Sequence, residues 1–314
     1  MVNCNVSPRF FMMAVLLESV IAASRKYSVD LTFDDKKSDR EFLPEYNAQS
    51  LPFCSALCGS SCGCFGFNSK HKKCRVYNPC NQTDITVAEE GWRNYFPEAL
   101  PRDCHDFHLK GQIVFGVNQI YPFDNTTSIN VQCKMENNDA WTVIQQRRSG
   151  LSFNRMWTEY KNGFGNVEDS YWFGNDVIHQ LTKGRNSSLY VSITLTNGTK
   201  LYELYNQFSV ADEANKYRLF LGGPATGILG DAMLDTGDPD EDLSGVAFSA
   251  PDGDNDGYNG YHCAVSHDGG WWFNWCHNAY LNGPWSPAFW VQPWYPPLKN
   301  GSDITETVMM IKPH

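Results

Sequence analysis

Apolar and polar residues alternate along several short segments in the middle of the chain, and this pattern is typical of half-buried β-strands. The alternation is clearest in SLYVSITL at 188–195, while WTVIQQR at 141–147 combines β-branched and aromatic residues. LYELYNQFSV at 201–210 and KYRLFLGG at 216–223 continue the series. We therefore expect antiparallel strands in this region.

A helix and a long loop complete the prediction for this region. NDVIHQLTK at 175–183 predicts a short helix with Asn175 as its N-cap. From Gly222 onward, Gly, Asp, Pro, Asn and Trp dominate for about 80 residues, which predicts ordered loop. Strands together with a helix indicate an α+β domain. A long loop inside such a domain usually has a functional role.

The first residues predict secretion. FFMMAVLL at 10–17 follows Arg9 and precedes the small residues SVIAAS, which is typical of a signal peptide, placed here at 1–23. The alternative is a buried core helix. Cleavage would remove Cys4 and leave ten of the eleven cysteines, an even number that suits disulfide bonds outside the cell. Extracellular chains are also glycosylated at N-x-S/T tripeptides, which occur beyond the predicted signal peptide at Asn81, Asn125, Asn186, Asn197 and Asn300.

The cysteines divide the chain into two modules. Six fall between Cys54 and Cys80, and the other four are spread over the rest of the chain. A small module cannot bury a large core and needs covalent links, whereas a module of about 200 residues can build a core. We place the small module at 27–97 and the large one at 103–314, joined by PEALPRD at 97–103.

In the small module, Cys54 and Cys58 are four residues apart and would share one face of a helix. We expect two bridges from that face to a hairpin formed by CFGF at 64–67 and the strand that carries Cys74. GWRNYF at 91–96 closes the module. This layout resembles a PAN/apple domain, which implies adhesion or assembly. The sequence does not choose among the disulfide pairings, and the alternative is a zinc site formed by Cys62, Cys64, His71 and Cys74.

Charge and motifs exclude several classes of function. The net charge is -10 and no basic run occurs, which argues against nucleic acid and anionic membranes as partners. No second apolar run is long enough for membrane insertion. The motifs of serine hydrolases, zinc proteases, P-loop proteins and dinucleotide-binding proteins are missing, so we expect no enzyme activity. The acidic run DTGDPDED at 235–242 predicts a solvated loop.

Four segments of the large module carry a family resemblance. They are DCHDFHLKG at 103–111, WTVIQQRRSGLSFNRMWTEYKNGFG at 141–165, YWFGNDVIHQLT at 171–182 and WWFNWCHNAYLNG at 271–283. Together they resemble the fibrinogen C-terminal domain, which ficolins and tachylectins share. The resemblance spans 103–314 and implies an α+β fold with a central antiparallel sheet and a loop-rich binding lobe. It also implies two disulfides, Cys104–Cys133 and Cys263–Cys276.

The turn PDGDNDGYNGYHC at 251–263 predicts a calcium site. Asp252, Asp254 and Asp256 alternate with small residues, and crowded carboxylates in a glycine-rich turn suit Ca²⁺. The family resemblance implies that the side chains of Asp254 and Asp256 bind the ion with the carbonyls of Tyr258 and Gly260. The alternative is a solvated acidic turn without metal.

The resemblance to lectins implies a pocket for an acetyl group beside the calcium turn. A backbone N–H next to the second cysteine would bind the acetyl oxygen, presented by a cis peptide at Trp275–Cys276. His277 matches the family histidine, and His267 stands where lectin members have tyrosine. The alternative for His277 is a structural role. After LNG at 281–283 the chain is shorter than in lectins, and its aromatic residues either wall the pocket or fill the core: Trp285, Phe289, Trp290, Trp294 and Tyr295.

These observations predict a secreted, calcium-dependent, lectin-like recognition protein of innate immunity. Its ligands would be acetylated or related glycans on cell or microbial surfaces. The alternative is an adhesion protein that binds extracellular proteins or matrix and no sugar. Assembly into a homo-oligomer would strengthen weak single sites.

Overall fold

The computed structural model describes residues 27–38, 44–58, 62–80, 82–97, 99–124, 127–148, 150–284, 293–295, 298 and 304–314. The predicted signal peptide at 1–23 lies outside these residues. The chain divides into two compact units, Met1–Ala99 and Leu100–His314. The division falls within the segment PEALPRD.

The first unit contains a helix and short antiparallel strands. The helix α1 is Leu51–Cys58. The strands are β1 (Tyr27–Val29), β2 (Lys36–Ser38), β3 (Glu45–Asn47), β4 (Cys64–Asn68), β5 (Lys73–Tyr77), β6 (Ile85–Ala88) and β7 (Trp92–Pro97). Over the described residues of this unit, one sheet has the order β1-β7-β4-β5-β3, and β2 pairs with β6.

Three disulfides hold this small unit together. Cys54 bonds to Cys74, Cys58 to Cys62 and Cys64 to Cys80. Because all six sulfurs are bonded to one another, the zinc alternative is wrong. The expectation of two bridges from the helix to the hairpin is also wrong, since only the Cys54–Cys74 bond joins α1 to β5. The Cys58–Cys62 bond instead closes the chain just after the helix.

The second unit has a large sheet with helices beside it. The helices are α2 (Cys104–Leu109), α3 (Trp157–Asn162), α4 (Asn175–Thr182) and α5 (Cys263–Ser266). The strands are β8 (Gly116–Ile120), β9 (Ile129–Glu136), β10 (Asp139–Arg147), β11 (Phe164–Gly165), β12 (Tyr171–Trp172), β13 (Ser187–Leu195), β14 (Lys200–Val210), β15 (Leu219–Gly227) and β16 (Ile304–Pro313). In the described chain the main order is β11-β12-β10-β16-β13-β14-β15, and β9 pairs with β10 and β8.

The predicted strands and helix of this unit are confirmed with two corrections. The strand predicted at 216–223 begins at Leu219, because Lys216 and Tyr217 adopt positive φ angles of 56° and 47° that a strand cannot contain. The N-cap of α4 is Gly174, whose φ is 97°, and not Asn175. The Asn175 side chain instead accepts a hydrogen bond from the Trp172 indole at 3.2 Å.

Residues 228–284, which we call the loop lobe, are packed although they are irregular. α5 is the one helix in this range, so the range is mostly loop, as predicted. Trp271 and Trp272 are fully buried, and the Phe248 ring lies 5.4 Å from that of Trp272. The Trp272 indole donates to the Tyr217 carbonyl at 2.8 Å, which ties the loop lobe to the end of the sheet. Its core therefore supports a fixed surface.

Candidate functional site

Asn255 holds the acidic turn of the loop lobe in place. Its side-chain amide donates to the Phe248 carbonyl at 3.0 Å, and its backbone N–H donates to the Ser249 hydroxyl at 3.0 Å. Asn255 stands between Asp254 and Asp256. Because the middle residue is tied to the core of the lobe, the two flanking carboxylates are held close to each other.

The Asp256 carboxylate braces the turn from inside. Its oxygens accept backbone hydrogen bonds from Tyr258 at 2.9 Å and from Cys263 at 2.8 Å. Burial raises the pKa of Asp256, these two bonds lower it, and the negative charge of Asp254 raises it again, with a net rise. A rise of this kind means that the folded turn disfavours two bare negative charges. A bound cation would remove that penalty.

His262 lies beside the two carboxylates, which the sequence analysis missed. One ligand atom each from Asp254, Asp256 and His262 lie within 4.8 Å of one another. The His262 Nδ1 atom is buried and has no hydrogen-bond partner in the described part of the chain. It stands immediately before Cys263, whose N–H binds Asp256, and this contact is not visible in the sequence.

The other residues of the turn differ in their contacts and backbone conformation. Asp252 does not join the pair, because its carboxylate accepts the Trp157 N–H at 2.7 Å at the start of α3. The Tyr258 carbonyl accepts the Tyr261 N–H at 3.1 Å and keeps a second lone pair. Gly260 has a φ of 81°, a conformation that favours glycine. Carboxylate and carbonyl oxygens in this turn fit a hard divalent cation.

The disulfide corner has the expected cysteine pairing but not the expected peptide geometry. The structure pairs Cys263 with Cys276 and Cys104 with Cys133, the two pairings that the resemblance implied. The predicted cis peptide at Trp275–Cys276 is wrong, since the one cis bond among the described residues is Asn78–Pro79. The chain reverses at the corner because Cys276 adopts a φ of 57°, and Asn274 then bonds to the Cys276 carbonyl at 3.2 Å.

His267 and His277 come together in an aromatic cluster. Their rings are 4.8 Å apart in an edge contact, and the rings of Phe273 and Tyr280 lie 6.0 Å and 5.0 Å from His277. Burial lowers the pKa of His277 to about 3, and burial also lowers the pKa of His267. Both rings are therefore neutral near pH 7. Neither ring nitrogen of His277 has a hydrogen-bond partner in the described chain.

Trp275 packs on a tyrosine and not on this histidine pair. Its side chain is 55% exposed, and its ring stacks on Tyr258 at 4.9 Å. The four residues of the predicted acetyl pocket are thus divided between a partly buried histidine pair and an exposed tryptophan, with Cys276 at the turn between them.

The aromatic residues after Gly283 are described only in part. Trp294 is fully buried and donates its indole N–H to the Gly230 carbonyl at 2.7 Å, so it fills the core. Tyr295 is 38% exposed. Three further predicted residues lie outside the described chain: Trp285, Phe289 and Trp290.

Two of the predicted glycosylation acceptors can be located. Asn186 and Asn197 are both exposed, and Asn197 lies in the turn between β13 and β14, where its side chain accepts the Thr199 N–H at 2.9 Å. The remaining three fall outside the described residues: Asn81, Asn125 and Asn300. In the described part of the chain no helix has the length and apolar composition that crossing a membrane requires.

Comparisons with known proteins place the second unit in a family. The family model of the C-terminal globular domain of fibrinogen beta and gamma chains matches residues 100–314. Human fibroleukin is 40% identical over 184 residues, which cover 58% of this chain and 41% of fibroleukin. The chain therefore matches about two fifths of that relative. Rat fibrinogen-like protein 1 is 35% identical over 68% of both chains.

A solved structure adds a bound ligand in a relative. Lamprey fibrin D-dimer, in complex with the peptide Gly-His-Arg-Pro-amide, superposes with a TM-score of 0.60 at 30% identity, covering 67% of this chain and 73% of that one. None of these descriptions names an enzyme or a lectin.

Proposed function

The chain belongs to the family of the fibrinogen C-terminal globular domain, and on that premise we propose that it is an extracellular recognition protein that binds a protein ligand through its loop lobe. Calcium held by Asp254 and Asp256 would fix that lobe. The observation that carries the proposal is the braced carboxylate pair, in which Asp256 is held by two backbone N–H groups and its pKa is raised.

A protein ligand is better supported than the glycan that the sequence analysis preferred. The lamprey relative carries a bound peptide. The cis peptide expected for acetyl binding is missing at Trp275–Cys276, and the Trp275 ring stacks on Tyr258 instead of on His277. The acetyl pocket formed by His267, Trp275, Cys276 and His277 therefore remains only a prediction.

Further parts of the proposal concern the rest of the chain. Secretion is supported by the apolar run at 10–17 and by five disulfides, since such bonds persist in oxidising compartments. A PAN/apple assignment for 27–97 is supported by α1, which Cys54–Cys74 ties to the five-stranded sheet. A role in assembly of a homo-oligomer would follow from that module.

Calcium titration by calorimetry tests the metal site. We expect a Kd on the order of 10⁻⁴ to 10⁻³ M for the natural chain, as in other extracellular modules, and no measurable binding for Asp254→Asn or Asp256→Asn. Asp252→Asn is the matched control, because Asp252 caps α3 and is not part of the group formed by Asp254, Asp256 and His262. Equal calcium affinity in Asp252→Asn and Asp254→Asn would contradict the site.

Selection from a random peptide library and a glycan array, each with calcium and with EDTA, test the ligand class. We expect calcium-dependent enrichment of peptides and no calcium-dependent glycan signal. Glycans bound in calcium with no peptide enriched would overturn the proposed function and restore the lectin interpretation.

A further inference from the structure

The first unit has a cavity of its own, with a volume of about 450 Å³. It opens between the turn before β2, the start of α1 and the strands β4 and β7, and we call it the small-unit pocket. The lining residues that matter for its chemistry are Asp34, Asp35, Leu51, Phe67, Arg93 and Tyr95. All of them belong to Met1–Ala99, so the pocket is complete within one unit. A cavity of this size admits a small molecule or one side chain of a partner.

Strand pairing gives the small-unit pocket an apolar wall. Phe67 on β4 lies opposite Arg93 on β7, and Phe65 lies opposite Tyr95. Residues that lie directly opposite in paired strands share one face of the sheet. Leu51 at the start of α1 packs against the buried cluster that contains both phenylalanines, and the Tyr95 ring stacks on Phe65 at 5.0 Å. The wall is therefore fixed by the core of the unit.

Asp34 brings an unsatisfied carboxylate oxygen to the pocket. Its Oδ1 atom is buried and has no hydrogen-bond partner among the described residues. Its Oδ2 atom lies 3.7 Å from Arg93 Nε, which is too far for a hydrogen bond. The Arg93 side chain is 62% exposed, so solvent weakens this ion pair. A buried carboxylate oxygen without a donor destabilises the fold, and a ligand that donates to it would lessen that effect.

Asp35 adds a second carboxylate in a fixed position. Its φ is 55°, and its N–H donates to the Trp92 carbonyl at 2.8 Å. Its carbonyl accepts the Glu89 N–H at 2.8 Å, and its Oδ1 atom accepts the Gly91 N–H at 2.7 Å. Three hydrogen bonds thus hold the turn against the chain that leads into β7. With two carboxylates and one guanidinium, the pocket has a negative net charge.

These features together fit a cation on an apolar stem. The apolar wall would bind the stem, and the two carboxylates would bind the charge. An ammonium group donates three hydrogen bonds from one point, so it can reach one oxygen of each carboxylate.

Other cations fit the small-unit pocket less well. A guanidinium fork prefers both oxygens of one carboxylate. Asp34 turns Oδ2 toward Arg93, and Asp35 gives Oδ1 to a backbone N–H. A bare metal ion would leave the apolar wall unused. We infer that the small-unit pocket binds a lysine side chain of a partner protein.

The small-unit pocket is not part of the loop lobe, so this site and the proposed function can fail separately. The probes are pentylamine, 1-pentanol and methylamine, each titrated into the full chain by calorimetry at pH 7 in EDTA. Pentylamine carries both the charge and the stem, whereas 1-pentanol lacks the charge and methylamine lacks the stem. We expect pentylamine to bind about tenfold more tightly than either, since a hydrogen bond to a charged group has that size. Its affinity should fall as salt is raised.

Lysine derivatives test the identity of the ligand. Nα-acetyl-lysine methylamide should displace pentylamine, and its Nε-acetylated form, which has no charge, should not. The matching arginine derivative should displace pentylamine less well than the lysine derivative does. Tighter binding of the arginine derivative would overturn the choice of lysine.

Variants locate the site. Asp34→Asn and Asp35→Asn each remove one charge and keep the shape, and the amide that replaces Asp35 retains an oxygen for the Gly91 N–H. Each should weaken pentylamine binding about tenfold. Leu51→Ala should weaken pentylamine and leave methylamine unchanged. The matched control is Glu45→Gln on β3, at the edge of the sheet beyond β5. Thermal melting of each variant shows whether the fold remains intact.

Three outcomes would overturn this site. The first is equal affinity for pentylamine and 1-pentanol, and the second is unchanged binding in folded Asp34→Asn and Asp35→Asn. The third is displacement of pentylamine by calcium in the natural chain and in Asp254→Asn alike, which would assign the two carboxylates to a metal ion. None of these results bears on the loop lobe, where peptide selection and calcium titration test the proposed function.

Discussion

Acidic side chains have different partners in two regions of the second unit, the sheet and the loop lobe. Beside the sheet, Glu306 contacts Lys134 and Arg148 at 3.2 Å and 2.7 Å, and the nearly buried Asp103 contacts Arg185 at 2.6 Å. In the loop lobe the carboxylates instead accept hydrogen bonds from backbone N–H groups and neutral side chains, or remain open to solvent. In the sheet these carboxylates are neutralised by cationic side chains. In the loop lobe no carboxylate of the described chain forms an ion pair, so its negative charge is available to bind a cation.

The two regions also differ in what makes them rigid. The strands β10, β16 and β13 are joined by long ladders and buried on both faces. The loop lobe has isolated bridges, one short helix and the Cys263–Cys276 disulfide. A sheet of this kind derives its stability from apolar burial, whereas the loop lobe depends on local links. Perturbing one kind of link at a time should therefore separate the two regions.

The largest effect should come from the sheet. Leu189 on β13 is fully buried, and Leu189→Ala removes its contacts and leaves a cavity. We expect the free energy of unfolding in urea to fall by about 4 kcal/mol, with no change in calcium affinity once the protein is folded. Leu189→Met, which keeps the volume, should lose far less. A large loss of calcium affinity in folded Leu189→Ala would show that the two regions are not separable.

Removing the disulfide of the loop lobe should lower the stability somewhat less than Leu189→Ala does. Unlike that change, it should also lower the calcium affinity. The paired change Cys263→Ser and Cys276→Ser opens a short loop, for which chain entropy gives about 3 kcal/mol. Calcium affinity should fall as well, because the Cys263 N–H holds Asp256. The control is Cys104→Ser with Cys133→Ser, which loosens α2 and β9 and should leave calcium affinity unchanged. Equal calcium affinities in the two variants would refute this distinction.

The smallest effect concerns pH. Burial raises the pKa of Glu306, but Lys134 and Arg148 outweigh it and the net pKa is lowered. Glu306 therefore stabilises the fold above its unfolded pKa, and that contribution is lost as pH falls through the lowered value. The pKa of Asp256 is raised mainly by burial, with the negative charge of Asp254 as a smaller cause, so protonation of Asp256 in acid has the opposite sign and favours the folded state.

Urea unfolding in EDTA between pH 7 and pH 3 measures this difference. We expect Glu306→Gln to reduce the acid-induced loss of stability and Asp256→Asn to steepen it, because the relief at Asp256 is then missing. The same pH dependence in both variants would contradict the assignment of opposite roles.

Local patterns predicted much of this fold. Partial alternation of apolar and polar residues marked β13, although the strand is buried on both faces over most of its length, and the four-residue spacing of Cys54 and Cys58 marked α1. β16 went unpredicted because it lies between two strands and reads ITETVMMIKP, with a run of five buried residues instead of alternation. The start of β15 was misplaced because the left-handed residues before it leave no signature in residue type.

The candidate site was less accessible to sequence reasoning. Asp252 looked equivalent to its neighbours, but it caps a helix that begins 95 residues earlier. The trans corner at Cys276 and the stacking of Trp275 on Tyr258 depend on packing and not on the motif. His262 was overlooked because a histidine beside a cysteine carries no pattern of its own. Contacts between distant segments decided each of these outcomes.

The place of β16 has a consequence for how the second unit comes into being. The Thr307 hydroxyl bonds to the Gln145 side chain across 162 residues of sequence, and β16 separates β10 from β13. The sheet cannot form completely until β16 has been synthesised. Until then the facing edges of β10 and β13 remain unpaired in the nascent chain. Long-range pairing of this kind makes slow folders, and we expect the nascent chain to require protection by chaperones until its last strand arrives.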